Sequence, residues 1–66
     1  MLKTGKRIIR VKSDKSARKY GNWYKIGMVF DVIQYSITEA EYTVIHDNEW
    51  KQLPEIDVEI VSDTTI

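Results

Sequence analysis

The segment Trp-Lys-Gln-Leu-Pro-Glu-Ile-Asp-Val-Glu-Ile-Val, residues 50–61, decides the fold class of this chain. Pro54 lacks a backbone N–H and therefore ends the strand that precedes it, which predicts a single turn that contains this proline. The alternation after this turn predicts a short final strand with Val58 and Ile60 facing inward. The residues expected to face outward are Asp57 and Glu59. A strand, a single turn and a short terminal strand are typical of a small barrel.

Periodicity predicts four more strands upstream of this segment. Over residues 6–12, Ile9 and Val11 alternate with basic residues, as expected for a strand with one buried face. Residues 24–33 are rich in β-branched and aromatic side chains and predict a long central strand that bends at Gly27. The remaining strands form a predicted hairpin: Glu41 to His46, the turn Asp47-Asn48, and Glu49 to Leu53.

Length and composition confine these strands to one small domain. The chain has 66 residues and no cysteine, which excludes disulfides and thiolate zinc sites, so the core must hold by packing. An open five-stranded sheet without a helix would expose one face and two edges, which favours closure of the sheet. We therefore predict an all-β fold, a five-stranded barrel over residues 1–61. Residues 13–23 are expected to form a long structured loop, and residues 62–66 a frayed tail.

The strand order resembles the SH3-like barrel superfamily, which includes SH3, Tudor-like and KOW-type domains. The resemblance rests on residues 6–11, on residues 24–32 and above all on residues 50–61. It implies an SH3-like barrel with a single 3₁₀ turn, over Leu53 to Ile56, before the last strand. More narrowly, the chain is similar to small proteins encoded by phages and prophages of Gram-positive bacteria, which implies an accessory protein in the host cytoplasm. Members of this superfamily bind peptides, nucleic acids or other protein surfaces.

The charges are strongly segregated along the chain although they sum to zero. The first 25 residues carry nine basic side chains and one acid, and the remainder carries nine acids and one lysine. In the predicted topology the first and last strands are antiparallel neighbours, so Arg7, Arg10 and Lys12 are expected to lie across from Asp57 and Glu59. This pairing leaves four cations without an acidic partner: Lys15, Arg18, Lys19 and Lys25.

The loop that carries these cations is the candidate functional site. Arg18 and Lys19 lie close in sequence to three aromatic residues, which suits an interface with a protein partner. The predicted partner-binding residues are Arg18, Lys19, Tyr20, Trp23, Tyr24 and Trp50. The alternative function is nucleic-acid binding by residues 15–25, with cations on phosphates and aromatic faces stacked on bases. A third interpretation has Trp23 and Tyr24 covering the core while the cations are merely solvated.

No catalytic, cofactor or metal site is predicted. The single histidine, His46, precedes Asp47 without a nucleophile or a second metal ligand, and the carboxylates Glu39 and Glu41 are expected to be solvated. The chain is therefore expected to be non-enzymatic. It is also expected to be soluble and cytoplasmic and not to enter a membrane. It is expected to be a monomer or a weak homodimer, with Ile8, Ile33 and Ile45 as spare apolar residues for an apolar patch.

Overall fold

The computed structural model describes residues 7–63, and within this range the chain is mostly β-strand. The strands are β1 (Arg7–Val11), β2 (Val29–Asp31), β3 (Gln34–Ser36), β4 (Glu41–His46), β5 (Glu49–Pro54) and β6 (Val58–Asp63). Two short 3₁₀ turns lie between them, at Ala17–Tyr20 and at Glu55–Asp57. The all-β prediction is confirmed, but the described range holds six strands rather than five.

The strands form two three-stranded antiparallel sheets, in the orders β2-β1-β6 and β3-β4-β5. The chain passes from one sheet to the other through two residues. The Val32 N–H donates to the carbonyl of Arg7 in the first sheet at 2.9 Å, and the Ile33 N–H donates to the carbonyl of Thr43 in the second at 2.8 Å. Of the predicted strand over residues 24–33 only β2 is observed, and β3 lies in residues for which no strand was predicted.

The predicted strand over residues 24–33 begins later than expected. Lys25 to Met28 form a turn, closed by a hydrogen bond of 3.2 Å from the Met28 N–H to the Lys25 carbonyl. Gly27 has a φ of +99°, a left-handed conformation that glycine adopts readily. The glycine therefore belongs to a turn before β2, and the predicted bend of a strand at this residue is wrong.

The predicted loop over residues 13–23 contains the first 3₁₀ turn. Gly21 ends it with a φ of +96°, and the Asn22 N–H donates to the Ala17 carbonyl at 2.7 Å. Ala17 is buried in the core. The segment is thus held to the domain by its own buried residue.

The predicted hairpin is confirmed. Asp47 and Asn48 have φ values of 53° and 64°, the signature of a two-residue turn whose twist matches the flanking strands. The antiparallel ladder pairs Ile45 with Trp50 and His46 with Glu49. The turn chemistry in the sequence therefore sets the register of β4 against β5.

The closing segment agrees with the prediction in kind and differs in position. Pro54 is the last residue of β5, as predicted, but Leu53 still pairs with Tyr42, so the 3₁₀ turn covers Glu55–Asp57. β6 pairs antiparallel with β1 and extends to Asp63, which lies opposite Arg7. Ser62 and Asp63 are therefore not part of a frayed tail, and the rest of the predicted tail, residues 64–66, lies outside the described range.

The core fills the space between the two sheets. Its buried members are Ile9, Val11, Ala17, Tyr24, Tyr42, Val44, Leu53 and Val58. Val58 faces inward as predicted, whereas Ile60 is half exposed. Asp57 was expected to face outward but is 1% exposed, because it belongs to the 3₁₀ turn and not to β6. None of the helical turns in residues 7–63 has the length and apolar character to cross a membrane.

Candidate functional site

The buried carboxylate of Asp57 anchors both ends of the segment that carries the candidate site. It accepts hydrogen bonds from the Ser13 hydroxyl at 2.9 Å and from the Ser16 backbone N–H at 3.0 Å. The Tyr24 hydroxyl donates to the same carboxylate at 2.6 Å. Asp57 therefore holds residues 13–24 against the closing 3₁₀ turn.

The protonation states of this cluster follow from the same contacts. Burial raises the pKa of the Asp57 carboxyl, but the hydrogen bonds donated by Tyr24, Ser16 and Ser13 outweigh burial and hold that pKa below the ordinary 3.8. Burial and the hydrogen bond to Asp57 both raise the pKa of the Tyr24 hydroxyl. At neutral pH an ionised carboxylate thus accepts from a neutral phenol, which makes each hydrogen bond charge-assisted.

Tyr20 gives the segment a further attachment. Its hydroxyl donates to the Glu41 carboxylate at 2.8 Å, at the first residue of β4. Burial, followed by the hydrogen bond to Glu41, raises the pKa of Tyr20 to about 12. Glu41 is therefore a structural acceptor and not the solvated edge carboxylate that its spacing from Glu39 suggests.

Trp23 packs on the core side of the β4–β5 hairpin. Its indole N–H donates to the Gln52 carbonyl at 3.0 Å. Its ring centroid lies 5.4 Å from Tyr24, 5.4 Å from Phe30 and 5.1 Å from His46. The ring is half-buried and closes one end of the core, so most of its surface is used inside the domain.

The cations of the first 3₁₀ turn differ from those of β1. Arg10 pairs with Glu59 at 2.6 Å, so the predicted cross-strand pairing is confirmed for this arginine. Arg7 pairs at 3.1 Å with Asp63, which was expected in the frayed tail, and the other predicted acid, Asp57, is buried away from the arginines of β1. Arg18 and Lys19 are exposed, and neither forms an ion pair with any residue in the range 7–63. We call Arg18 and Lys19, with the turn Ala17–Tyr20 that carries them, the basic turn.

The structure places the predicted partner-binding residues in four different environments. Arg18 and Lys19 are on the surface, and Tyr20 and Trp23 are partly buried beside them. Tyr24 is 2% exposed and so offers a partner almost no surface, as in the third interpretation, because its ring and hydroxyl are both used in the core. Trp50 is the fourth case.

Trp50 lies on the opposite face of the β4–β5 hairpin from Trp23. Opposite residues in an antiparallel ladder point to the same side, and Trp50 is paired with Ile45. His46, next along β4, points to the other side and meets Trp23. Trp50 is 63% exposed and therefore belongs to a separate surface.

Ile45, the cross-strand partner of Trp50, lines an apolar groove of about 550 Å³ between β1, β2, β4 and the crossing from β2 to β3. It contains all three isoleucines that the sequence left without a core position, together with Val29, which sequence reasoning did not single out. Arg10 lies opposite Val29 in the ladder, so Val29 faces outward, a position that only the register of β1 against β2 reveals. The residues that line the groove are Ile8, Val29, Phe30, Asp31, Ile33 and Ile45.

The titratable side chains of residues 7–63 are arranged for structure. No group of three or more histidine, cysteine, aspartate or glutamate side chains in this range is placed to hold a metal ion. His46 packs its ring against Trp23 and Phe30. The Tyr35 hydroxyl donates to the Glu55 carboxylate, which holds β3 to the closing turn. The structure thus presents two surface features, the basic turn and the apolar groove.

Comparisons of this chain with protein families, with curated proteins and with solved structures find no match.

Proposed function

We propose that this protein is a non-enzymatic interaction module that docks on a protein partner through the basic turn. The observation that carries the proposal is the pair of exposed cations, Arg18 and Lys19, which no acid in the described range neutralises. Arginine is a frequent anchor of protein interfaces and binds carboxylates in two-pronged geometry. The complementary partner surface is acidic.

The attachment of the basic turn supports this role. Three groups in residues 13–24 donate hydrogen bonds to the Asp57 carboxylate, and Tyr20 donates a further one to Glu41. Because the backbone is already ordered, binding does not carry the additional entropic cost of ordering this segment. A rigid base for long charged side chains is a favourable arrangement for a docking surface.

The use of the aromatic residues favours a protein partner over nucleic acid. Binding of single strands depends on exposed aromatic faces on which bases stack, each worth about 1–3 kcal/mol. Tyr24 is in the core, Tyr20 is bonded to Glu41, and Trp23 packs against three rings. Nucleic-acid binding by residues 15–25 would thus rest on phosphate contacts alone, which bind without sequence preference.

We also propose that the domain is an SH3-like barrel. The sheet orders β2-β1-β6 and β3-β4-β5, the two-residue crossing between β2 and β3, and the 3₁₀ turn before β6 support this assignment. In this view β2 and β3 are the two halves of one bent strand, so that the barrel has five strands. The proposed role as a phage or prophage accessory protein rests on the sequence resemblance, and the neighbouring genes would test it.

The docking proposal is tested by removing the cations of the basic turn. We expect the double variant Arg18→Ser/Lys19→Ser to lose a protein that the wild-type chain captures from host lysate. The matched control is Arg10→Ser/Lys12→Ser, which removes the same charge from β1 and its C-terminal neighbour and should keep the captured protein. The proposal fails when both double variants capture the same proteins.

The nucleic-acid alternative is tested separately with single-stranded and duplex oligonucleotides at low salt. It would be favoured if the wild-type chain binds them and only Arg18→Ser/Lys19→Ser weakens this binding.

A further inference from the structure

The apolar groove continues into the exposed ring of Trp50. Ile45 lines the groove and is the cross-strand partner of Trp50, which places their side chains about 5 Å apart on one face. Val29, Ile33 and Ile45 are each between 41% and 55% exposed. Within residues 7–63, Trp50 is the only aromatic side chain among the large exposed apolar residues. We call Ile8, Val29, Ile33, Ile45 and Trp50 the apolar face.

The charged side chains that border the apolar face are already engaged in interactions, so they do not favour a partner of either charge. Arg10 and Glu59 lie on the same side of the first sheet as Val29, and they form an ion pair with each other at 2.6 Å. Asp31, which lines the groove, is also engaged in an interaction. A face whose arginine and glutamate neutralise one another does not repel a second copy of itself.

The area of the apolar face sets the strength that a homodimer through it can have. Its five side chains offer roughly 400 Å² of exposed surface, so two such faces pressed together would bury about 800 Å². This is less than the roughly 1,200–2,000 Å² of stable specific interfaces, and it predicts weak, reversible association. The largest apolar patch of a soluble monomer typically has roughly this size and is often functional.

We infer that the apolar face pairs two copies of this chain about a two-fold axis, with Trp50 of each copy seated in the groove of the other. A two-fold contact requires one patch to be complementary to itself, so the face must supply both the protrusion and the recess. The groove of about 550 Å³ supplies the recess and Trp50, beside it on β5, supplies the protrusion.

Sedimentation equilibrium of the complete chain tests this inference. Over a range from about 5 µM to 1 mM we expect the mass to rise from 7.8 kDa toward twice that value. Added salt should leave the association unchanged or strengthen it, because apolar burial is not screened. A mass of 7.8 kDa at every concentration would overturn the inference and would leave the groove to another protein or to a segment of the same chain.

Two substitutions locate the interface and one serves as a matched control. Ile45→Lys places a charge at the centre of the apolar face, and Trp50→Ala removes the proposed protrusion. Each should weaken the dimer at least about tenfold. Ile37→Lys makes the same chemical change at an exposed residue outside the apolar face and should leave the dimer constant unchanged.

The pattern of the three variants decides the inference. A dimer weakened equally by Ile45→Lys and Ile37→Lys, or by neither, would contradict a contact through this face. Circular dichroism of each variant identifies a loss of folding, and Trp50→Ala keeps the inference testable where Ile45→Lys does not fold. The basic turn is unchanged in all three variants, so this result is independent of the docking experiment.

Discussion

The basic turn and the apolar face belong to the same small domain and are built in opposite ways. The basic turn carries charges on a segment that is fixed by hydrogen bonds to a buried carboxylate, Asp57. The apolar face is formed by side chains that the register of two sheets turns away from the core. One surface therefore depends on a polar network and the other on strand pairing, and substitutions can separate them.

The largest expected effect comes from removing the anchor of the basic turn. Asp57→Ala leaves the buried hydroxyl of Tyr24 and the N–H of Ser16 without their acceptor, at a cost of about 3–4 kcal/mol. A core of this size supplies only about 3–5 kcal/mol, so the variant should be largely unfolded. Thermal melting followed by circular dichroism measures this, with the exposed Glu59→Ala as control, expected to cost at most about 1 kcal/mol. A folded Asp57→Ala protein of nearly wild-type stability would contradict the anchoring role.

The two tryptophans provide the most direct comparison of the two surfaces. Trp23→Ala removes a ring that packs on Tyr24, Phe30 and His46, and should lower the free energy of unfolding by about 2–3 kcal/mol. Trp50→Ala removes an exposed ring and should change the stability of the monomer by less than about 0.5 kcal/mol. Urea unfolding at a concentration below the dimer range measures both. Equal losses in the two variants would show that the hairpin does not separate a core side from a surface side at these positions.

The pH dependence of stability should show how much the ionised Asp57 carboxylate contributes to folding. The folded-state pKa of Asp57 is lowered, so its contribution to stability is fully present above the unfolded-state pKa of about 3.9 and is lost as pH falls through the lower folded-state value. Asp57→Asn, where it folds, should have a flatter stability profile than the wild-type chain below pH 4. The measurement is urea unfolding in a series of acidic buffers. If stability depends on pH with the same slope in both proteins, the ionisation of Asp57 is not coupled to folding.

The smallest expected effect is that of the exposed cations on folding. Arg18→Ser/Lys19→Ser removes side chains that form no ion pair with the described residues, so the midpoint of urea unfolding should move by no more than the equivalent of about 0.5 kcal/mol. This variant keeps the domain intact, which makes a loss of partner binding attributable to the surface. A large loss of stability would show instead that the cations support the fold.

Local chemistry made several features predictable. Asp47-Asn48 tolerates two consecutive left-handed residues, and Pro54 cannot continue a ladder, so the hairpin and the end of β5 follow from residue type. Segregated charges on the first and last strands predicted ion pairs, and Arg10 meets Glu59 as expected. Part of the groove was also predictable, since Ile8, Ile33 and Ile45 did not fit the core pattern.

Other features escaped prediction because they depend on the three-dimensional context of a residue. In the pattern Asp-Val-Glu-Ile-Val, Asp57 looks like Glu59, yet one carboxylate is buried and the other is at the surface. A 3₁₀ turn that begins two residues later than expected is enough to place Asp57 inside. For Tyr24 the sequence left a core position and a partner-binding position open, and the structure decides for the core, where its hydroxyl donates to Asp57.

The sequence by itself determined an all-β chain without covalent staples, the hairpin turn, the end of β5 and the ion pair of Arg10 with Glu59, because each depends on properties of residues that are adjacent or directly paired. Only the tertiary structure decided that Asp57 anchors the basic turn and that Trp23 and Trp50 face opposite sides of one hairpin. The hydrogen bond from Ser13 to Asp57 joins residues 44 positions apart. Its formation depends on how the first loop and the closing turn pack together, which no local pattern specifies.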